Sequence, residues 1–465
     1  MSRQLLMMAL APLLGLFILG IGNGFLATLI TLRLDTQGAS ALVIGWVSSA
    51  YFIGIAIGAL FNDRLLLRIG HIRAYGSFAS LVAASVLLQG LWFDAGAWFV
   101  LRLIGGWATV GVYLVIESWL LTSGDEKVRG RLLALYMISL YAAGVIGQLM
   151  IGATKDLDET APFMIVGMLA ALSVLPMAMI PRVSPLVEHA EPLPIYRLIV
   201  ITPTGVMGSF GSGILVAAIY SLLPLYLQHI GLPVEQVGQM MAIMVLGAML
   251  LQYPIGRWSD RHDRQLVLIL ISLFSALISL GMVLLPHNPW QLALLLFLLG
   301  GGVFALYPVT VSHAADRMPA GALVRMSQGL LLINAIGSSL SPSLIGPAMT
   351  AFDDAGLFWS LAALGVFMVL FFTWRRSVRP APIPVAPFAP NTPMSAVGAE
   401  LGITDERLQG ALEHEHHEDL SEVVPGVDTA EPIVGPPRPE EAEAPYFGAQ
   451  EPLAEGSEQE LKQQS

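Results

Sequence analysis

The chain has 465 residues, 55% of them hydrophobic and only 12% charged. Soluble domains carry about 25% charged residues, so an ordinary soluble enzyme or binding module is excluded. The chain has no cysteine, which also excludes disulfides, thiolate zinc sites and cysteine nucleophiles.

The net charge of −11 is unevenly spread. The stretch after Arg379 holds 17 of the 34 acidic residues and 3 of the 23 basic ones, leaving a mildly basic body and a strongly acidic tail.

The body is built of apolar runs of membrane-spanning length, about 17–25 residues. The first covers 5–30. It follows Arg3 and begins like a signal peptide, but it is too long for one and is read as a retained first helix. Helices follow at 41–61, 74–92, 97–121, 132–153 and 162–180. A polar, proline-bearing segment at 181–197 then separates six helices from six more, at 205–228, 234–256, 266–285, 290–313, 326–349 and 357–374. Backbone groups in hydrocarbon need internal partners, so these runs are helices. Their many glycines suit close helix packing. After Arg379 the composition turns to Pro, Glu, Ala and Gly, which cannot bury enough apolar surface to fold alone.

Basic residues fix the expected orientation. Seventeen, from Arg3 to Arg379, fall on one side of this layout, and only Arg33 and Lys155 fall on the other. The positive-inside rule puts both termini in the cytoplasm. Trp92, Trp98 and Trp290 near span ends are read as an interfacial belt, and His313 as an interfacial residue.

Two ionisable residues lie inside spans, Arg102 and Glu117 on the fourth helix. Each costs about 2.5–3.5 kcal/mol on insertion scales and so needs a role or a partner. Fifteen residues separate them, about 22 Å at 1.5 Å per residue, too far to pair. Arg102 either tunes a protonation or binds an anionic substrate, or it snorkels and ties helices together. Glu117 is either a proton carrier or an ion-pair partner for Arg68. Polar groups that can reach a solute are Asn23, Tyr113, Gln148, Tyr220, Gln252, Tyr307 and Asn334; an interhelical hydrogen bond is the competing reading for each.

The halves echo each other after their second helices. Gly256-Arg257-Trp258-Ser259-Asp260-Arg261-His262-Asp263-Arg264 resembles the G-x-x-x-D-R-x-G-R loop of the major facilitator superfamily, with Asp263 where glycine is usual. The first-half copy keeps Arg68, Gly70 and Arg73, but Leu67 stands at the aspartate position and Asp63 lies four residues early. Arg102 to Gly106 is similar to the family's R-x-x-x-G motif, and Gly144 and Gly147 fall near its glycine-rich fifth helix. Longer stretches resemble the YcaD-like branch of transporters. These are Gly130-Arg131-Leu132-Leu133-Ala134 with Gly147-Gln148-Leu149, Leu223-Pro224-Leu225-Tyr226-Leu227, Tyr253-Pro254-Ile255-Gly256-Arg257 and Leu306-Tyr307-Pro308-Val309.

The resemblance implies an all-α membrane protein of twelve spanning helices in two six-helix bundles. The bundles are expected at 1–181 and 205–375, with a linker at 182–204 and a disordered acidic cytoplasmic tail at 376–465. It implies a cavity lined by helices one, four, seven and ten, and a cytoplasmic latch of Arg68, Gly70, Arg73, Gly256, Asp260, Arg261 and Arg264. In that latch the Asp260 carboxylate can sit against the N-terminus of a facing helix.

The expected function is secondary transport of a small organic solute by alternating access, coupled to protons, by a monomer in a bacterial inner membrane. The alternative is a sensor or scaffold on a transporter fold that signals through the acidic tail. No cofactor, metal or nucleic acid is expected. A tail cluster at 413–419 is rich in His and Glu but reads as solvated, and zinc-protease, serine-hydrolase and nucleotide-binding motifs are missing.

Overall fold

The computed structural model describes residues 3–121, 126–179, 194–285, 288–318 and 322–378. The expected tail begins three residues too early, since 376–378 complete the last helix; its remainder, with the 413–419 cluster, and the linker through residue 193 lie outside the described residues, as do the side chains of Arg131 and Leu133.

The first half runs α1 (Arg3–Thr36), α2 (Ala41–Ile69), α3 (His71–Leu91), α4 (Ala95–Leu121), α5 (Glu126–Ala153), α6 (Ala161–Leu172) and α7 (Val174–Ala178). The second runs α8 (Ile195–Ile201), α9 (Pro203–His229), α10 (Val234–Ser259), α11 (Arg264–Leu284), α12 (Pro289–Ala315), α13 (Leu323–Ala351) and α14 (Gly356–Val378). Among the described residues twelve segments are long and apolar enough to cross a membrane, with α6 and α7 together making the sixth.

Several helices outrun their apolar cores. The second continues past 61 to Ile69, because Asn62 and Leu66 stay buried on one face while Arg64 and Arg68 point outward. The sixth is broken at Ser173. Pro176 has no N–H, and its ring collides with the carbonyl four residues back, at Leu172; the Ser173 hydroxyl donates to Ala170 O at 2.7 Å. The expected linker ends in an apolar run, Ile195-Tyr196-Arg197-Leu198-Ile199-Val200-Ile201, which forms α8 rather than a polar loop. Its Leu198 is fully buried in a cluster with Tyr307, Val311, Leu323 and Met326 of α12 and α13.

The two halves repeat the same packing. α1 packs on α5 and α2 on α4 as α9 packs on α13 and α10 on α12, and the halves meet along α2 with α13 and α5 with α10. Glycines set the closest approaches at matching positions. A Cβ on Gly106 would lie 2.0 Å from Tyr51 O, and one on Gly54 2.1 Å from Leu103 O. Their counterparts Gly300 and Gly247 would put a Cβ 2.1 Å from Met244 O and 1.9 Å from Phe297 O. No side chain fits between these backbones, so the helices touch directly.

Gly106→Ala is therefore expected to destabilise the protein by about 2–3 kcal/mol, the upper part of the usual overpacking range. Gly105→Ala is the control, since its Cβ would meet only Ser85 Oγ at 3.3 Å. Melting curves of the two purified variants decide this; equal midpoints would mean that α2 and α4 yield without strain.

Trp92 and Trp290 are 66% and 87% exposed, as interfacial residues should be. Trp98 is not: it is buried, its indole N–H is 3.0 Å from Trp92 O, and its ring packs on Phe93 and Phe163. His313 is also buried rather than interfacial.

Candidate functional site

A cavity lies between the halves, midway along their helices. From the first half it is lined by Asn23 on α1, Ser48, Tyr51 and Phe52 on α2, Arg102 and Tyr113 on α4, and Tyr141 on α5. From the second it takes Val216, Tyr220 and Ser221 on α9, Val245 on α10 and Phe304 on α12. The Asn23 amide donates to Tyr113 Oη at 3.1 Å, joining α1 to α4. The Arg102 guanidinium carbon lies 4.3 Å from the centre of the Tyr51 ring, a cation–π arrangement.

Of the residues read from sequence, Asn23, Arg102, Tyr113 and Tyr220 line this cavity. The others are placed elsewhere. Gln148 accepts from Thr28 Oγ1 at 2.7 Å and donates to Gly24 O at 2.8 Å, fastening α5 to α1. Asn334 donates to Ser209 O and Ser212 Oγ, both at 2.9 Å, fastening α13 to α9 in the same way. Gln252 and Tyr307 are buried without lining the cavity. Glu117 is buried and accepts from Tyr136 Oη at 2.6 Å. Arg68 is exposed, and no ion pair joins it to Glu117 among the described residues.

The cavity residues missed from sequence include three on the second helix. Ser48, Tyr51 and Phe52 recur at i, i+3 and i+4, a spacing that puts them on one face. That face was readable had the second helix been considered as lining.

The expected latch residues sit at two helix corners. In the second half Arg264 opens α11 with its guanidinium buried, 2.9 Å from Asp260 Oδ1, 2.8 Å from Asp316 Oδ1 and 2.8 Å from Ser312 O. The Asp260 carboxylate thus pairs across its own corner. Asp263 replaces the usual glycine by capping α11, accepting from Gln265 N at 2.8 Å, and it pairs with Arg376 at 3.0 Å. Gly256 is buried and Arg261 exposed. In the first half α2 meets α3 at Gly70, whose φ of 81° favours glycine. The residue that opens α3 and is buried like Arg264 is His71, while Arg73 is exposed.

At the opposite end of the bundle the halves are tied together. His229 at the end of α9 places Nδ1 2.6 Å from Asp354 Oδ1 and Nε2 3.2 Å from Asp35 Oδ1 at the end of α1. Both ring nitrogens face carboxylate oxygens, which suits the doubly protonated ring. Thr31 Oγ1 donates to Ser221 O at 2.9 Å, and Lys155 after α5 pairs with Glu235 on α10. The Glu235 hydrogen bond and charge hold the Lys155 ammonium above the ordinary lysine range. The Lys155 charge is therefore present at neutral pH, and the pair is lost as pH rises past that raised value.

A twelve-helix membrane bundle with a cavity shared between repeated halves has the architecture of a transporter. The sequence matches the family model of the Major Facilitator Superfamily over residues 13–342 and 205–404. It is 34% identical to "Uncharacterized MFS-type transporter Ent638_1421" of Enterobacter sp. (strain 638), covering 82% of this chain and 98% of that one. It is 32% identical to "Uncharacterized MFS-type transporter YcaD" of Escherichia coli (strain K12 / DH10B), covering 79% and 96%. Among solved structures the nucleoside transporter NupG aligns with a TM-score of 0.64 at 14% identity, covering 80% of this chain and 99% of that one. A D-xylose-proton symporter aligns with a TM-score of 0.63 at 14% identity, covering 79% and 96%. The chain belongs to the major facilitator superfamily and is an integral membrane protein of its transporter fold.

Proposed function

We propose that this chain is a secondary active transporter of a small organic solute, working by alternating access and driven by the proton gradient. The observation that carries this reading is the cavity midway along the helices, to which both halves contribute side chains. A site at the interface of repeated bundles is where rocking of one half against the other alternates access. The superposable fold of a D-xylose-proton symporter supports the coupling ion by analogy of fold.

The basic-residue bias supports an inner-membrane protein with both termini cytoplasmic. The ties made by His229, Lys155 and Thr31 then close the periplasmic side in this conformation. The corners at Gly70 and at Gly256 to Arg264 act as the cytoplasmic latch, their contacts differing between the two access states. The protein works as a monomer.

Glu117 is the proposed proton carrier. A carboxyl takes up and releases a proton, and its burial beside Tyr136 couples that change of charge to α4 and α5. In proteoliposomes under an imposed pH gradient, screened with metabolites and amphiphilic drugs, a transported solute is expected to move protons with it. Glu117→Gln is expected to reduce that coupled flux at least tenfold while leaving solute exchange in place. Undiminished coupled flux in the variant would remove Glu117 from this role.

A further inference from the structure

Among the described residues Arg102 is the one charged side chain lining the cavity, and the Tyr51 ring lies beside it. It is 7% exposed, and its Nε is buried with no hydrogen-bond partner. Among the described residues it makes no ion pair, and no carboxylate lines the cavity. The Tyr51 ring is the group that faces its charge.

An unpaired charge in a water-poor site is costly, and the cost is relieved by an opposite charge with matching hydrogen bonds. Arginine cannot escape by losing its proton. Its planar fork matches the paired oxygens of a carboxylate or a phosphate, and of these a carboxylate carries a single negative charge. One guanidinium balances one negative charge. Much of the rest of the wall, with Phe52, Tyr141, Val216, Val245 and Phe304, is apolar or aromatic and suits a hydrophobic body, with Ser48 and Ser221 among them.

We infer that the solute is an amphipathic organic monoanion, its carboxylate held by Arg102 and its apolar part packed against the second half. This rests on the transport reading and names the substrate class of the same cavity. Asn23 and Tyr113 line the same cavity and offer polar groups to the body of the solute.

The test is binding by thermal shift to the detergent-purified full chain. Phenylacetate, 4-phenylbutyrate and indole-3-acetate are each compared with the corresponding neutral amide. At least one carboxylate is expected to raise the melting temperature saturably and to bind at least tenfold more tightly than its amide. Arg102→Gln is expected to abolish that preference, and Arg102→Lys to restore part of it. If no carboxylate binds better than its amide, or if Arg102→Gln keeps the preference, the inference is overturned. Should Arg102→Gln fail to fold, the comparison of acid with amide on the native chain still decides. Flux of the same probes into proteoliposomes separates the two readings. Selective binding without flux leaves the anion site standing and overturns transport of that probe, whereas flux of amide and acid alike overturns the anion site.

Discussion

Replacing Asp316 by alanine is expected to cost the protein about 3–5 kcal/mol, the range for removing one partner of a buried ion pair. The side chains of Arg264 and Asp316 are each 1% exposed and lie 2.8 Å apart. Arg264 opens α11 and Asp316 closes α12, so the pair fastens two spans at the corner that carries the family motif. Without Asp316 the guanidinium keeps Ser312 O and Asp260, whose side chain is 36% exposed and stays partly solvated. Those contacts soften the loss without replacing a buried counter-ion. The double replacement Arg264→Met with Asp316→Leu removes both charges and is expected to recover most of the stability. Melting midpoints of the single and double variants check this. A single variant as stable as the native protein would show that solvent reaches the pair.

Locking the far end is expected to slow access to the cavity at least tenfold. A Cβ on Gly152 would lie 2.9 Å from Glu235 Cβ, and a disulfide needs about 3.5–4.5 Å. The ends of α5 and α10 therefore need to ease apart by about half an ångström to accept Gly152→Cys with Glu235→Cys. The native chain has no cysteine to interfere. With Ser48→Cys added inside the cavity, a membrane-impermeant maleimide applied at this end reports opening by modification at position 48. Oxidation is expected to suppress that modification, and reduction to restore it. Equal rates before and after verified cross-linking would mean that this end does not open in the cycle.

Much of the fold was legible because hydrocarbon imposes it. Spans of apolar residues must be helices, so their number and approximate places follow from composition along the chain. What composition could not show was where a helix ends in water. The second span keeps its periodicity beyond the membrane through Leu66, and the sixth breaks at Ser173 because of Pro176, about one turn before the expected end. The glycine contacts were visible only as abundance; their pairing across the repeat needed coordinates.

The cavity was partly legible. Asn23, Tyr113, Tyr220 and Arg102 are polar groups on spans that the resemblance made inward-facing, and they line it. Gln148 and Asn334 have the same character in sequence but spend their hydrogen bonds on neighbouring backbone and hydroxyl groups. A lone amide in a span carries no mark that separates these fates. Tyr51 was passed over because an aromatic in an apolar helix looks like packing until its ring is found under a guanidinium. At the first-half corner, His71 rather than Arg73 stands where Arg264 stands in the second, because the helix restarts immediately after Gly70.

The matched glycines give the two halves a common register, and in that register Leu296 on α12 stands where Arg102 stands on α4. The repeat has therefore divided its labour. Among the described residues, one half carries the cavity's only charge and its amide, while the other offers Val216, Val245 and Phe304 as a wall of adjustable size. Changes of volume on α9, α10 and α12 can alter which molecules fit without disturbing how their charge is read. The scaffold can thus acquire new specificities through its second half while the recognition chemistry of the first is inherited intact.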